Sequence, residues 1–158
     1  TSPPGELSTN GCNMSVADRV VMHLHSTLTD VSVSQDTARE FLTRHSISDR
    51  RQFSVGIVLE ELLTNIVRYG HGGDHGFVHS HDIGINVTLT LSEGSIELNI
   101  EDSGREFNPL EIAEPDLPHN LEEAKIGGLG IMLVRKAARR MHYERINNRN
   151  CLLVSLPL

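Results

Sequence analysis

Apolar residues along the chain follow two rhythms, one helical and one of strict alternation. Val20, Val21, Met22 and Leu24 fall within residues 19–26 and suit a first strand. Ser32 with Gln35 three residues on offers a capping box, and Ala38, Phe41 and Leu42 give a helical apolar face to about Ile47. Asp49 with Gln52 restarts a helix that runs to about Tyr69, its apolar positions Val55, Leu59, Leu62 and Ile66 recurring at three- and four-residue steps. Residues 70–81 are rich in glycine and histidine and read as a loop. The period then drops to two. Ile83, Ile85, Val87, Leu89 and Leu91 alternate with polar or small neighbours, a turn follows at 92–95, and Ile96, Leu98 and Ile100 continue the alternation on a partner strand. Residues 105–127 carry three prolines and little periodicity, as expected of a long functional loop of the lid kind. A last helix is expected over 129–141, then strands near 143–146 and 152–156 joined by an asparagine-rich turn. This order predicts a two-layer α/β sandwich: a mixed, mostly antiparallel sheet covered by about three helices.

Composition narrows the picture. A chain of 158 residues suits one domain, here 16–158, after a Pro-, Gly- and Ser-rich leader at 1–15. The formal charge of −7 argues against direct nucleic-acid binding, which usually needs a basic excess. Cys12 and Cys151 form no metal or disulfide pattern. No apolar run reaches the ~20 residues that span a bilayer. Together these point to a soluble, cytoplasmic protein without a membrane partner.

Three places break the local rules. Glu61 and Asn65, four apart, share one helix face, whereas Glu60 points away. A carboxylate beside an amide oxygen is a reasonable pair for a magnesium ion and a nucleophile, although, taken alone, an ordinary solvated Glu with an incidental Asn is the favoured reading. Asp102 continues the inward phase of Ile96, Leu98 and Ile100, and an inward carboxylate is costly unless it is hydrogen-bonded. With Gly104 after it, Asp102 could accept from an exocyclic amine such as that of adenine, or simply make an Asp-Ser-Gly turn. Gly127-Gly128-Leu129-Gly130 opens the last helix, exposing backbone N–H groups at the positive end of its dipole. That is a phosphate cradle or a packing device, and not a Walker A loop.

Taken in order, Glu61-x3-Asn65, then Asp102-x-Gly104-x-x-Phe107-x-Pro109, a lid, and Gly128-x-Gly130 resemble the N, G1 and G2 boxes of the GHKL (Bergerat-fold) ATPases. Within them the chain is most similar to the anti-sigma-factor serine kinases of bacterial partner-switching systems, through the stretch from Gly127 to Arg135 and Tyr143-Glu144-Arg145. The resemblance spans about residues 19–156. It implies ATP and Mg2+ as cofactors, with Asn65 holding the metal and Glu61 acting as general base. Asp102 would accept from the adenine amino group, Gly104 would make room for the ring, and Phe107 and Leu129 would border the nucleotide. Gly128 and Gly130 would offer N–H groups to the phosphates. It further implies a protein serine kinase that phosphorylates a STAS-type antagonist and sequesters a sigma factor, working as a homodimer. An ATP-dependent protein-binding regulatory module without significant kinase activity is the alternative.

Two positions depart from the pattern. Asn150-Cys151 stands where relatives often carry Gly-Thr, and Lys125, beside Ile126, is the nearest basic residue to meet the terminal phosphate, as a second catalytic group. Elsewhere, His71, His75, His79 and His81 read as a solvated loop rather than a metal site. Tyr69 fits either the nucleotide side of its helix or packing. Arg135, Lys136, Arg139 and Arg140 read as a solvated basic face at a helix end. A histidine-kinase catalytic half is disfavoured, because His45 lacks the helical hairpin around a phosphoacceptor.

Overall fold

Alternating and helical stretches order themselves as β1 (Arg19–Ser26), α1 (Leu28–Arg44), α2 (Asp49–Tyr69), β2 (Ser80–Ser92), β3 (Ser95–Asp102), a single 3₁₀ turn (Pro109–Glu111), α3 (Leu129–Ala137), β4 (Arg140–Ile146) and β5 (Arg149–Pro157) in a computed structural model of the protein. It describes residues 18–71, 80–113 and 129–158, with the backbone alone at 80–81. The expected leader at 1–15 and most of the expected lid lie outside the described residues, as do His75, His79, Lys125 and Gly128.

The five strands form one sheet in the order β1-β2-β3-β5-β4, and every neighbouring pair is antiparallel. The sheet is therefore antiparallel throughout the described strands rather than mixed. Alternation decides which side is buried. Met22 and Leu24 of β1, Ile85 and Leu89 of β2, Leu98 and Ile100 of β3, and Leu152 and Val154 of β5 all bury. They pack against Val55, Leu59, Leu62 and Val67 of α2 and Phe41 and Leu42 of α1 in one continuous core. Two layers result, helices on one side and sheet on the other, as the pattern implied. Among the described residues no helix is long and apolar enough to cross a membrane.

The start of α1 and the end of α3 differ from expectation, and β2, β4 and β5 each begin a few residues earlier than expected. Helix α1 begins at Leu28, capped by Thr27, whose Oγ1 accepts from the Asp30 N–H at 3.1 Å. Ser32 instead lies inside the helix and donates its hydroxyl to the Leu28 carbonyl. Gln35, the other half of the expected capping box, reaches across to α2 and donates to the Gly56 carbonyl at 3.1 Å. When a strand ends one residue before a helix starts, a polar residue between them is the natural cap. Helix α3 stops at Ala137, four residues early, because the Arg139 N–H joins the sheet at the Ser155 carbonyl and β4 pairs with β5 from Arg140 on. Sheet pairing overrides the helix-favouring run Ala137-Ala138-Arg139. β4 and β5 are joined through Asn147 and Asn148, both at positive φ (49° and 60°), the left-handed pair that a two-residue hairpin requires.

The basic face is also corrected. Arg140 belongs to β4, and Arg135 turns inward to donate to the carbonyls of Leu110 and Ile112 at 2.9 and 2.7 Å. Those are carbonyls at the end of the 3₁₀ turn with no helix to continue them, and a guanidinium can serve several at once.

Candidate functional site

The sequence feature that matters most is the inward phase of β3 carried to its last residue. Asp102 is 5% exposed, with its Cα paired to Asn150 on β5 and to Ile85 on β2. Its Oδ1 accepts from the Gly104 N–H and from Asn150 Nδ2, both at 2.9 Å. Burial raises the Asp102 carboxyl above its ordinary value, opposed by the bonds from Asn150 and Gly104 and by the nearby Arg145 and Arg149. The result is an acid kept at the mouth of an apolar layer by specific donors.

Asp102 lines a narrow cleft of about 30 Å³ between α2 and the sheet. Ile100 and Leu152 come from the sheet, Leu62, Asn65 and Ile66 from α2, and Phe107 and Pro109 from the segment after β3. Asn65 is 8% exposed and projects from α2 into this space because it shares a face with Leu62. Phe107 stacks on Tyr69 with ring centroids 6.1 Å apart. Tyr69 thus packs against a cleft residue, which joins the two roles considered for it.

One turn before Asn65, Glu61 meets the first turn of α3. A Cβ built on Gly130 would lie 2.6 Å from Glu61 Cδ, so glycine is what lets the two helices approach there. Glu60 turns the other way, toward Gln35 of α1. Burial, and then the Glu60 carboxylate, push the Glu61 carboxyl up from its ordinary value. A base of raised pKa is a better proton acceptor near neutral pH. Leu129, the first residue of α3, is about half exposed beside this junction.

Gly104 is tight against protein atoms. A Cβ there would crowd Asp102 Oδ1 at 2.8 Å and the Cα and carbonyl of Gly70 at 3.2 Å. The close approach is sealed by the Arg105 N–H donating to the Gly70 carbonyl at 2.9 Å. This contact pins the end of α2 to the end of β3, and so fixes Asn65 relative to Asp102.

Asp102, Asn65, Phe107 and Pro109 therefore surround one cleft, and Glu61 and Gly130 meet where α2 and α3 touch. Lys125 and Gly128 lie outside the described residues. Sequence reading missed the working residue Asn150, noted only as a departure from a pattern. The signal was available: Leu152, Val154 and Leu156 bury with alternating phase, and the same phase carries Asn150 inward. Asn150 is 5% exposed. Tyr143 and Arg145, on the adjacent edge strand, both donate to its carbonyl oxygen at 2.8 Å.

These donors fit an adenine nucleotide in kind. Asp102 is an acceptor for an exocyclic amine, Ile100 and Leu152 offer apolar contact for a flat ring, and Gly130 leaves a helix start without a side chain. Among the described residues no group of three or more His, Cys, Asp or Glu could hold a metal by itself. Asn65 alone supplies one oxygen, which fits Mg2+ that is shared with phosphates and water.

Comparison with known proteins points the same way. The chain is 29% identical over 133 residues to the serine/threonine-protein kinase BtrW of Bordetella bronchiseptica, covering 80% of this chain and 89% of that protein. Its fold is similar to that in the crystal structure of the RsbU and RsbW domains of Rv1364c from Mycobacterium tuberculosis. That match has a TM-score of 0.58 at 14% identity over 89% of this chain, and spans one third of the solved chain. At that identity the likeness concerns the fold. The description histidine kinase-like ATPase domain matches residues 24–156, which covers every described strand and helix that builds the cleft. Family match, sandwich fold and motif order agree: the chain belongs to the histidine kinase-like ATPase domain family, within the GHKL superfamily.

Proposed function

We propose that the protein is an ATP-dependent protein serine kinase of the anti-sigma-factor type. It would phosphorylate a STAS-type antagonist and sequester a sigma factor, acting as a homodimer in the cytoplasm. The observation that carries the reading is convergence. Asn65 of the first motif and Asp102, Phe107 and Pro109 of the second line one cleft, and Glu61 meets Gly130 of the third where α2 and α3 touch. The kinase BtrW is the relative that supports this activity.

Bound Mg-ATP would supply the terminal phosphoryl group to a serine hydroxyl. Asp102 would hold the base by accepting from its amine, against the apolar side chains of Ile100 and Leu152, with Phe107 at the edge. Asn65 would hold the magnesium ion through its amide oxygen. Glu61 would take the proton from the attacking hydroxyl, a role favoured by the upward shift that burial and the neighbouring Glu60 carboxylate give its carboxyl. Backbone N–H groups at Gly130 and Gly128, with Lys125, would meet the phosphates. Little else is required, because phosphoryl transfer is mainly positioning and charge neutralisation.

The test is titration with a fluorescent ATP analogue and magnesium, followed by transfer from labelled ATP to a serine-bearing STAS protein. Binding is expected to be lost in Asp102→Asn and weakened in Asn65→Ala. Glu61→Gln is expected to bind nucleotide normally but to lower transfer by about 10²-fold or more. Saturable ATP binding with no transfer by the wild type would instead mark an ATP-dependent binding module. No binding by the folded wild type would end the ATP reading altogether.

A further inference from the structure

Asn150 is the most heavily bonded side chain in the described cleft. Its Nδ2 donates to Asp102 Oδ1 and to the Arg105 carbonyl, each at 2.9 Å. Its Oδ1 accepts from the Phe107 N–H at 3.2 Å, and from the Tyr143 hydroxyl and Arg145 Nη1, each at 2.8 Å. Both partners of the nitrogen are acceptors and all three partners of the oxygen are donors. The carboxamide can therefore sit only one way round, since a flip would set like against like at four of the five contacts, all but that with the Tyr143 hydroxyl, which can also accept.

We propose that Asn150 is the positioning residue of the base site: it holds Asp102 by Oδ1, leaves Oδ2 as the oxygen available to a ligand, and thereby sets a preference for a purine that carries an exocyclic amine. This deepens the ATP reading and rests on it.

Three features carry the argument. Asp102 and Asn150 are direct cross-strand partners on the buried side of β3 and β5, so the contact is built into the sheet register. Arg145 also donates to the Gly104 carbonyl at 3.0 Å, so its guanidinium is fixed against the far side of the carboxamide. A charged donor on the oxygen polarises the amide and strengthens what its N–H groups give to Asp102. No other side chain of this size supplies two donors and an acceptor for three. An aspartate would set carboxylate against carboxylate, and a threonine would keep at most one donor. Both hydrogen bonds to Asp102 among the described residues fall on Oδ1. A carboxylate so held is an acceptor only. It matches the 6-amino group of adenine and mismatches the 6-oxo group of hypoxanthine, leaving two acceptors face to face.

The experiment compares magnesium complexes of ATP and inosine triphosphate, which differ at that position, by isothermal titration with wild type, Asn150→Leu and Asn150→Thr. Wild type is expected to prefer ATP by about tenfold or more. Asn150→Leu is expected to lose most of that preference, its ATP affinity falling about tenfold while inosine triphosphate changes by less than about threefold. Asn150→Thr is expected to fall between. If the leucine variant does not fold, as judged by its melt, Asn150→Ser is read in its place. Equal weakening for both nucleotides would overturn the proposal, because a merely structural residue cannot tell them apart. An unchanged preference in the variants would overturn it as well. A wild type that binds both nucleotides equally would sink this inference and leave ATP binding standing. A wild type that binds neither would sink the ATP reading and this inference with it.

Discussion

At the scale of single residues, Asp102 shows how a site sets function against stability. Its pKa in the folded chain lies above the unfolded value, so the folded state holds the proton more tightly than the unfolded state. The stability that this contributes is present below the ordinary carboxylate range and is lost as pH rises through the folded pKa. As pH rises above that range the folded protein therefore carries more of the cost of a buried charge. An asparagine at 102 can still accept from the Gly104 N–H and from Asn150 without that cost. Asp102→Asn is expected to melt at or above the wild-type temperature at pH 7, with the difference shrinking toward pH 4, as followed by circular dichroism. A clearly lower melting temperature at pH 7 would show that the ionised form is what holds the end of β3 together. Strand phase alone made Asp102 legible in the sequence, because a charge at an inward position is conspicuous. Asn150 sits at the same phase of a neighbouring strand, but an uncharged amide raises no such alarm. Its five partners lie from 5 to 48 residues away along the chain, and no local pattern announces them.

Elements were legible where one rhythm ran uninterrupted and blurred where two met. Helix α2 and the hairpin of β2 and β3 follow their periodicities from end to end. The entrance to α1 did not, because Thr27 and Ser32 are both credible caps and only the turn from β1 chooses between them. Thr27→Ala removes the side-chain bond to the Asp30 N–H, and is expected to cost about 1 kcal/mol in urea unfolding. Ser32→Ala should cost less than about half of that, since its hydroxyl only back-bonds within the helix. Similar costs for the two would move the cap back toward Ser32. The end of α3 was missed for the converse reason. Residues 137–141 favour a helix locally, and the competing partner, β5, lies later in the chain.

For the whole molecule, alternation says which side of each strand is buried and nothing about neighbours. All five strands carry similar patterns, so the placement of β5 between β3 and β4 could not be read from them. That placement is what sets Asn150 opposite Asp102. It also makes β3 the central strand, with Leu98 fully buried between Leu89 and Val154. Leu98→Ala is expected to lower unfolding free energy by about 2–5 kcal/mol, the usual range for a cavity that rigid neighbours cannot fill. A loss below about 1 kcal/mol would mean that the layers slide together more freely than the tight helix-to-sheet contacts suggest.

The narrow cleft has a kinetic side. A space of about 30 Å³ suits one or two water molecules, far less than a purine ring. Its walls, α2 and the segment around Phe107, are expected to part as a base enters. Capture is then expected to be limited by how often they part and not by how often nucleotide arrives. In stopped-flow mixing, the observed rate of signal change should level off as nucleotide concentration rises. A rate that climbs linearly throughout would mean that the walls open faster than nucleotide can be supplied.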